Sequence, residues 1–182
     1  MQNRLRFRTA KELFNAYATA GEDMRSAPSD LPSIEFCRAL LDGKIPEEAV
    51  TFCAYLLPRR VAVWWGHQCL THIGNILDEQ DLQMLTLAEE WIREPEEERR
   101  YAALDAGMAA GVKTPGVWIA LAAGWSGGSV APRGLAPVTP PPHLTARAIN
   151  TGILAALARV PLARRASVLR QFVDMGLGLA QA

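Results

Sequence analysis

The 182-residue sequence carries no excess of charge of either sign, few cysteines and no long uninterrupted apolar run. Nineteen Lys and Arg balance nineteen Asp and Glu. That balance argues against a nucleic-acid partner, which requires a basic excess to meet the phosphates. Three cysteines, an odd number in a chain of this length, do not make the disulfide framework of a secreted domain. Cys37, Cys53 and Cys69 each fall inside an apolar helical pattern, where a free thiol serves as a small hydrophobe. The basic start, with Arg4, Arg6 and Arg8, is followed by no apolar stretch of the kind a signal peptide needs. The longest uncharged run, 114–132, is broken by Pro115, Gly116, Gly124, Gly127 and Gly128, which makes it poor material for a membrane span. These absences together predict a cytoplasmic chain that does not insert into membranes.

Strand signals are equally scarce, with little β-branched clustering and no hairpin dipeptide between alternating runs. The punctuation that is present belongs to helices. Thr9 followed by Glu12 forms a capping box that opens a helix through about Ala20. Gly43 stands in the stop position of a helix over 32–42. Pro46, Pro95, Pro115 and Pro161 stand at helix starts, where a missing N–H costs nothing. The pattern predicts an all-α fold of eight or nine short helices within one domain spanning 1–182, with 1–8 a flexible tail. A chain of this size buries roughly 70% of its unfolded surface, enough for a core of its own.

An internal echo, Phe36-Cys37-Arg38-Ala39-Leu40-Leu41 against Phe52-Cys53-Ala54-Tyr55-Leu56-Leu57, recurs at an offset of sixteen. It is compatible with stacked helical hairpins, and equally with convergent core patterning in an orthogonal bundle. The one long break, 126–143, ends in Pro140-Pro141-Pro142 and reads as a Gly/Pro-rich strap across the surface. Beyond it, the last helix spreads its apolar residues over half its circumference, so it needs cover on two sides, from other helices or from a partner. Charge is unevenly placed: 78–98 holds nine acidic residues and one Arg, while 133–182 holds six Arg and one Asp. A solvated helix face accounts for the acidic block, and an electrostatically steered partner site is the alternative.

Candidate functional residues are few. At 100° per residue, Val61, Trp65, Cys69 and Ile73 share an apolar arc, and Trp64 falls on the other side with Gln68, Thr71 and Asn75. Trp65 is thereby a core residue. Trp64 is covered by the proline strap, reserved for a partner, or part of a second core face. With Arg59, Arg60 and Gln68 it makes the candidate partner-binding surface. Ser126, Gly127, Gly128 and Ser129 could form a backbone nest for an anion, but the spacing is not that of a P-loop and no Lys follows. A Gly-rich helix stop explains the turn as well. His67 and His72 lie about 140° apart on a helix, which keeps one ion from reaching both, so no metal is expected. No nucleophile elbow or paired acid and base stands out, so neither an enzyme nor a cofactor is predicted from motifs.

The segments Tyr55-Leu56-Leu57-Pro58-Arg59-Arg60-Val61-Ala62-Val63-Trp64-Trp65, Trp91-Ile92-Arg93-Glu94-Pro95, Gly124-Trp125-Ser126-Gly127-Gly128-Ser129 and Pro140-Pro141-Pro142-His143-Leu144-Thr145 resemble the signature of an uncharacterised bacterial family of all-helical proteins. The resemblance spans about 10–180. It implies that the Trp pair and the Ser-Gly-Gly-Ser turn are family features, and that relatives accompany secretion-system components. The family's Glu after Arg-Arg is replaced here by Val61, which removes a charged contact. The reading that unites these observations is a cytoplasmic protein–protein interaction module, an adaptor or accessory factor in a bacterial assembly. The alternatives are a small enzyme or anion-binding protein using the Ser-Gly-Gly-Ser turn, and a structural homo-oligomer formed through the last helix.

Overall fold

Thr9 opens the first helix as the sequence predicts: its hydroxyl accepts the Glu12 N–H at 3.3 Å, and the Glu12 carboxylate accepts the Arg8 N–H at 2.7 Å. The computed structural model describes residues 5–182, which form ten α-helices, one 3-10 turn and no strand. The helices are α1 (Ala10–Ala16), α2 (Ala18–Asp23), α3 (Ser33–Leu41), α4 (Glu48–Leu56) and α5 (Arg59–His72). After the 3-10 turn at Gly74–Ile76 come α6 (Glu79–Arg93), α7 (Glu97–Ala109), α8 (Pro115–Gly124), α9 (Leu144–Arg159) and α10 (Leu162–Gln181).

The expected helix from Thr9 through Ala20 breaks at Tyr17, whose backbone turns extended. The break lets the Tyr17 ring reach the core, 5.1 Å from the Tyr55 ring and 6.1 Å from Phe7. Burying a ring outweighs one turn of helical hydrogen bonds. Of the tail expected over 1–8, residues 1–4 lie outside the described residues, and residues 5–8 are pinned. Arg6 donates to the Tyr17 hydroxyl at 2.7 Å, and Ser33 donates to the carbonyls of Phe7 and Arg8 at 2.9 Å each.

The centre of the molecule is α8, where nine of ten residues are buried and Trp118 is partly buried against the core. It packs against α5, α6, α7 and α9. Such close approach needs glycine: a Cβ on Gly116 would lie 2.5 Å from the Asp81 carbonyl oxygen, and one on Gly124 2.6 Å from the Leu104 Cβ. The Asp81 side chain, fully buried, accepts the Gly116 N–H at 2.7 Å and the Arg159 guanidinium at 2.6 Å, tying α6, α8 and α9 together. Burial alone would raise its carboxyl, but these donors and the Asp78 N–H hold it below the ordinary value.

Packing of α9 against α4 and α5, and of α10 against the same two helices, closes the chain on itself. A solenoid, in which each unit touches only its neighbours, is thereby replaced by a closed bundle. The sixteen-residue echo is a facing pair: Phe36 meets Phe52 at 5.0 Å between centroids, and the Cys37 and Cys53 sulfurs approach to 3.4 Å. All three cysteines are buried thiols. The contact with Cys37, then burial, pushes Cys53 up, and burial does the same to Cys69, so neither is primed for attack. The apolar arc of α10 is covered from within, with Val168, Leu169, Phe172, Val173 and Leu177 buried, while Leu162 at the helix start is 80% exposed. No helix among the described residues is long and apolar enough to cross a membrane.

The strap over 126–143 lies against α7. The Tyr101 hydroxyl donates to the Ala131 carbonyl at 3.2 Å, and Arg133 stacks 4.9 Å over the Tyr101 ring. Within the strap, Ser129 Oγ accepts the N–H groups of Ala131 and Val138. Residues 132–139 are exposed and Pro140 is buried.

Candidate functional site: the Trp64 face of α5

Adjacent residues of a helix point about 100° apart, and α5 uses that angle to separate two indoles. Trp65 has no exposed surface; its Nε1–H donates to the Phe172 carbonyl at 2.7 Å. Gly176 of α10 makes room for it, since a Cβ there would stand 2.9 Å from the Trp65 Cε2. Trp64 is half-buried, and its ring stacks on the His67 imidazole with centroids 5.3 Å apart and planes 12° apart. The separation of the two rings expected from periodicity is what the structure contains.

Two grooves meet at Trp64. The larger, about 570 Å³, runs between α5, α6 and α10, and is lined by Arg60, Val61, Trp64, Glu89, Ile92, Arg93, Leu179 and Ala182. The smaller, about 360 Å³, is lined by Trp64, His67, Gln68, Thr71, His72 and Met175. Gln68 therefore joins Trp64 as expected, as does Thr71. A third cleft continues past Val61 to Leu5, Arg6 and Pro58, and shares Leu179 and Ala182 with the first. Val61, placed by periodicity on the core arc, is half-buried and belongs to the groove.

The two arginines expected beside Trp64 part company. Arg60 stays at the groove, where its guanidinium donates to the carbonyls of Ile92 and Arg93. Those are the last carbonyls of α6, which lack acceptor duty inside the helix, and a cation suits that end of the helix dipole. Arg59 turns away to the Ser126 carbonyl at 3.1 Å and contributes nothing to the Trp64 surface. Nor does the proline strap cover Trp64: no residue of 126–143 lines either groove there, and the contacts of Ala131 and Arg133 go to α7.

His67 is buried, with its Nε2 3.8 Å from a Glu89 oxygen and its Nδ1 lacking a hydrogen-bond partner. Burial lowers its pKa; Glu89 opposes the shift and Arg93 adds to it. The imidazole is accordingly neutral near pH 7, a flat ring supporting Trp64. Among the described residues, no three His, Cys, Asp or Glu side chains gather as metal ligands would.

Two carbonyls at and just before the Ser-Gly-Gly-Ser turn, those of Ser126 and Gly124, face arginines. Arg100, 2% exposed, donates to the Gly124 carbonyl at 2.6 Å and to Glu97, while Arg59 takes Ser126. Ser126 Oγ donates back to Ala123, and Ser129 Oγ holds the strap. Gly128, at φ +60°, lies so close to Arg100 that a Cβ would stand 2.6 Å from its Nη2. The positive charge near the turn is thus engaged by carbonyl oxygens and Glu97, and both serine hydroxyls have structural roles.

Several groove residues had no sequence signal of their own. Glu89, Met175 and Leu179 come from helices that are remote in the chain from α5, and only folding brings them to it. Ile92 and Arg93 did lie within a signature segment, although nothing there tied them to Trp64.

No curated protein and no solved structure matches the chain. The sequence model of a family of unknown function, DUF6931, matches residues 36–180, from α3 to the last turns of α10. The matched stretch takes in both indoles of α5, the α6 wall, the Ser-Gly-Gly-Ser turn and the proline run, and the chain belongs to this family of unknown function.

Proposed function

We propose that the chain is a protein-binding module without catalytic activity, and that its docking surface is the Trp64 face of α5. One observation carries this reading. Of two neighbouring indoles, one is sealed in the core with its N–H satisfied, and the other forms the ridge between two open grooves. A half-buried Trp is the residue type that most often anchors an interface, and a fixed Arg beside it adds orientation. The grooves are preformed by helices, so binding carries little ordering cost. The three thiols without a disulfide support action in a reducing compartment such as the cytoplasm. The resemblance of the motifs supports a role as accessory factor in a bacterial secretion assembly.

The test is affinity capture from the producing cells with the wild-type chain and the Trp64→Ala variant as baits, quantified by mass spectrometry. A protein retained by the first and reduced at least tenfold on the second is the expected result. A set of captured proteins identical for both baits, with both baits folded by near-UV circular dichroism, would remove Trp64 as a docking residue.

A further inference from the structure

Resting on the docking reading above, the geometry points to a partner of definite form: an amphipathic α-helix with an acidic residue at the end that meets Arg60. The face of α5 left to solvent runs from Arg60 and Val61 past Trp64 and Gln68 to Thr71 and His72, and within it Val61, Trp64, Gln68 and Thr71 are spaced by three, four and three residues. That spacing is the seam against which a second helix packs its own side chains. The seam is roughly 15 Å long at 1.5 Å per residue, matching three turns of a docked helix. Its walls are helical as well, with Ile92 of α6 on one side and Met175 and Leu179 of α10, spaced by four, on the other.

A β-strand finds no comparable welcome. Strand addition depends on a row of unpaired backbone N–H and C=O groups, and a groove walled by three helices has no sheet edge to offer.

Charge orients the occupant. At the Val61 end stand Arg60, Arg93 and Glu89. Arg93 and Glu89 neutralise one another at 2.6 Å, whereas Arg60 bonds only backbone carbonyls among the described residues. Among the described residues, its guanidinium is therefore a fixed cation with no side-chain carboxylate bonded to it. At the other end Gln68 and Thr71 are neutral, and His72 Nε2 shares a hydrogen bond with Gln171. A docked helix places its carboxylate by Arg60 and its apolar pair, three or four residues apart, astride Trp64.

The experiment selects binders from a displayed library of random 16-residue peptides against the whole chain. Winners are then titrated as synthetic peptides onto wild type, Trp64→Ala and Arg60→Met. The expected winners carry apolar residues at helical spacing and at least one Asp or Glu, gain helical circular dichroism on binding, and lose tenfold or more in affinity on Trp64→Ala. They lose about fivefold on Arg60→Met, and wild-type binding weakens as salt is raised from 50 to 500 mM, a measurement that needs no variant. Winners that depend on Trp64 but are rich in proline, stay non-helical, or bind equally well at both salt concentrations overturn the helical acidic partner and leave the docking reading standing. If no winner depends on Trp64, both fail.

Discussion

At Asp81 a single carboxylate joins three helices, accepting hydrogen bonds from Gly116 and Arg159 while capping its own. Replacing it with Asn leaves Arg159 without its closest anion, and the loss of charge-assisted bonds of this kind costs about 2–3 kcal/mol. The acid dependence has a fixed sign. The folded-state carboxyl sits below its ordinary value of 3.8, so its contribution is complete above that pH and fades as pH falls through the lower folded-state value. Urea midpoints of wild type and Asp81→Asn should therefore stand well apart at pH 7 and converge toward pH 2. A constant gap across that range would show that the carboxylate's charge is not what stabilises the site. At this scale the sequence was partly legible. The 100° step between Trp64 and Trp65 needed only helical geometry, whereas the partnership of Asp81 with Arg159, 78 residues away, has no local signature.

Among the elements, the strap over 126–143 is the weakest point for a protease. Residues 132–139 are exposed, and Arg133 lies in a turn there, held by the Tyr101 ring and the Glu98 carbonyl with Glu97 nearby. Limited trypsin treatment should cut first after Arg133, and the two fragments should co-elute in size-exclusion chromatography because α9 remains packed against α4, α5 and α8. First cleavage within a helix, read by intact mass, would contradict this. Helix boundaries were the most legible part of the chain, since Thr9 and the prolines at positions 115 and 161 act within one turn. The break at Tyr17 was not legible, because it is set by rings at Phe7 and Tyr55. The path of the strap was hidden for the same reason: Tyr101 and the Glu98 carbonyl draw it to α7, away from the indole that its prolines could have covered.

For the whole molecule, the first two helices matter more than the extent of the family match suggests. They precede residue 36, where the matched region begins, yet Leu13 and Ala20 have no exposed surface and Phe14 packs 6.1 Å from Phe36 and 6.5 Å from Phe52. The loop after α2 also satisfies the buried Glu48 through the Arg25 and Ser26 N–H groups. A chain beginning at residue 36 would bare Phe36, Phe52 and Tyr55 and leave Glu48 short of donors. It should lose the cooperative thermal transition and bind a hydrophobic dye, as states without fixed packing do. Wild-type melting behaviour in the shortened chain would make α1 and α2 an appendage. The all-α class followed from helical periodicity, but closure of α9 and α10 onto α4 and α5 did not, because the faces that meet there are separated by about a hundred residues.

Leu5 and Arg6 border the same cleft as Leu179 and Ala182, next to Val61 and one step from the Trp64 groove. A tag joined directly to Leu5 or Ala182 would therefore sit beside the proposed docking face and compete for it at high local concentration. Labels for interaction work belong instead in the exposed part of the strap near Gly134, on the α7 side. A circular permutant opened there, with Leu5 and Ala182 joined by a short Gly-Ser bridge, would carry its cargo clear of Trp64.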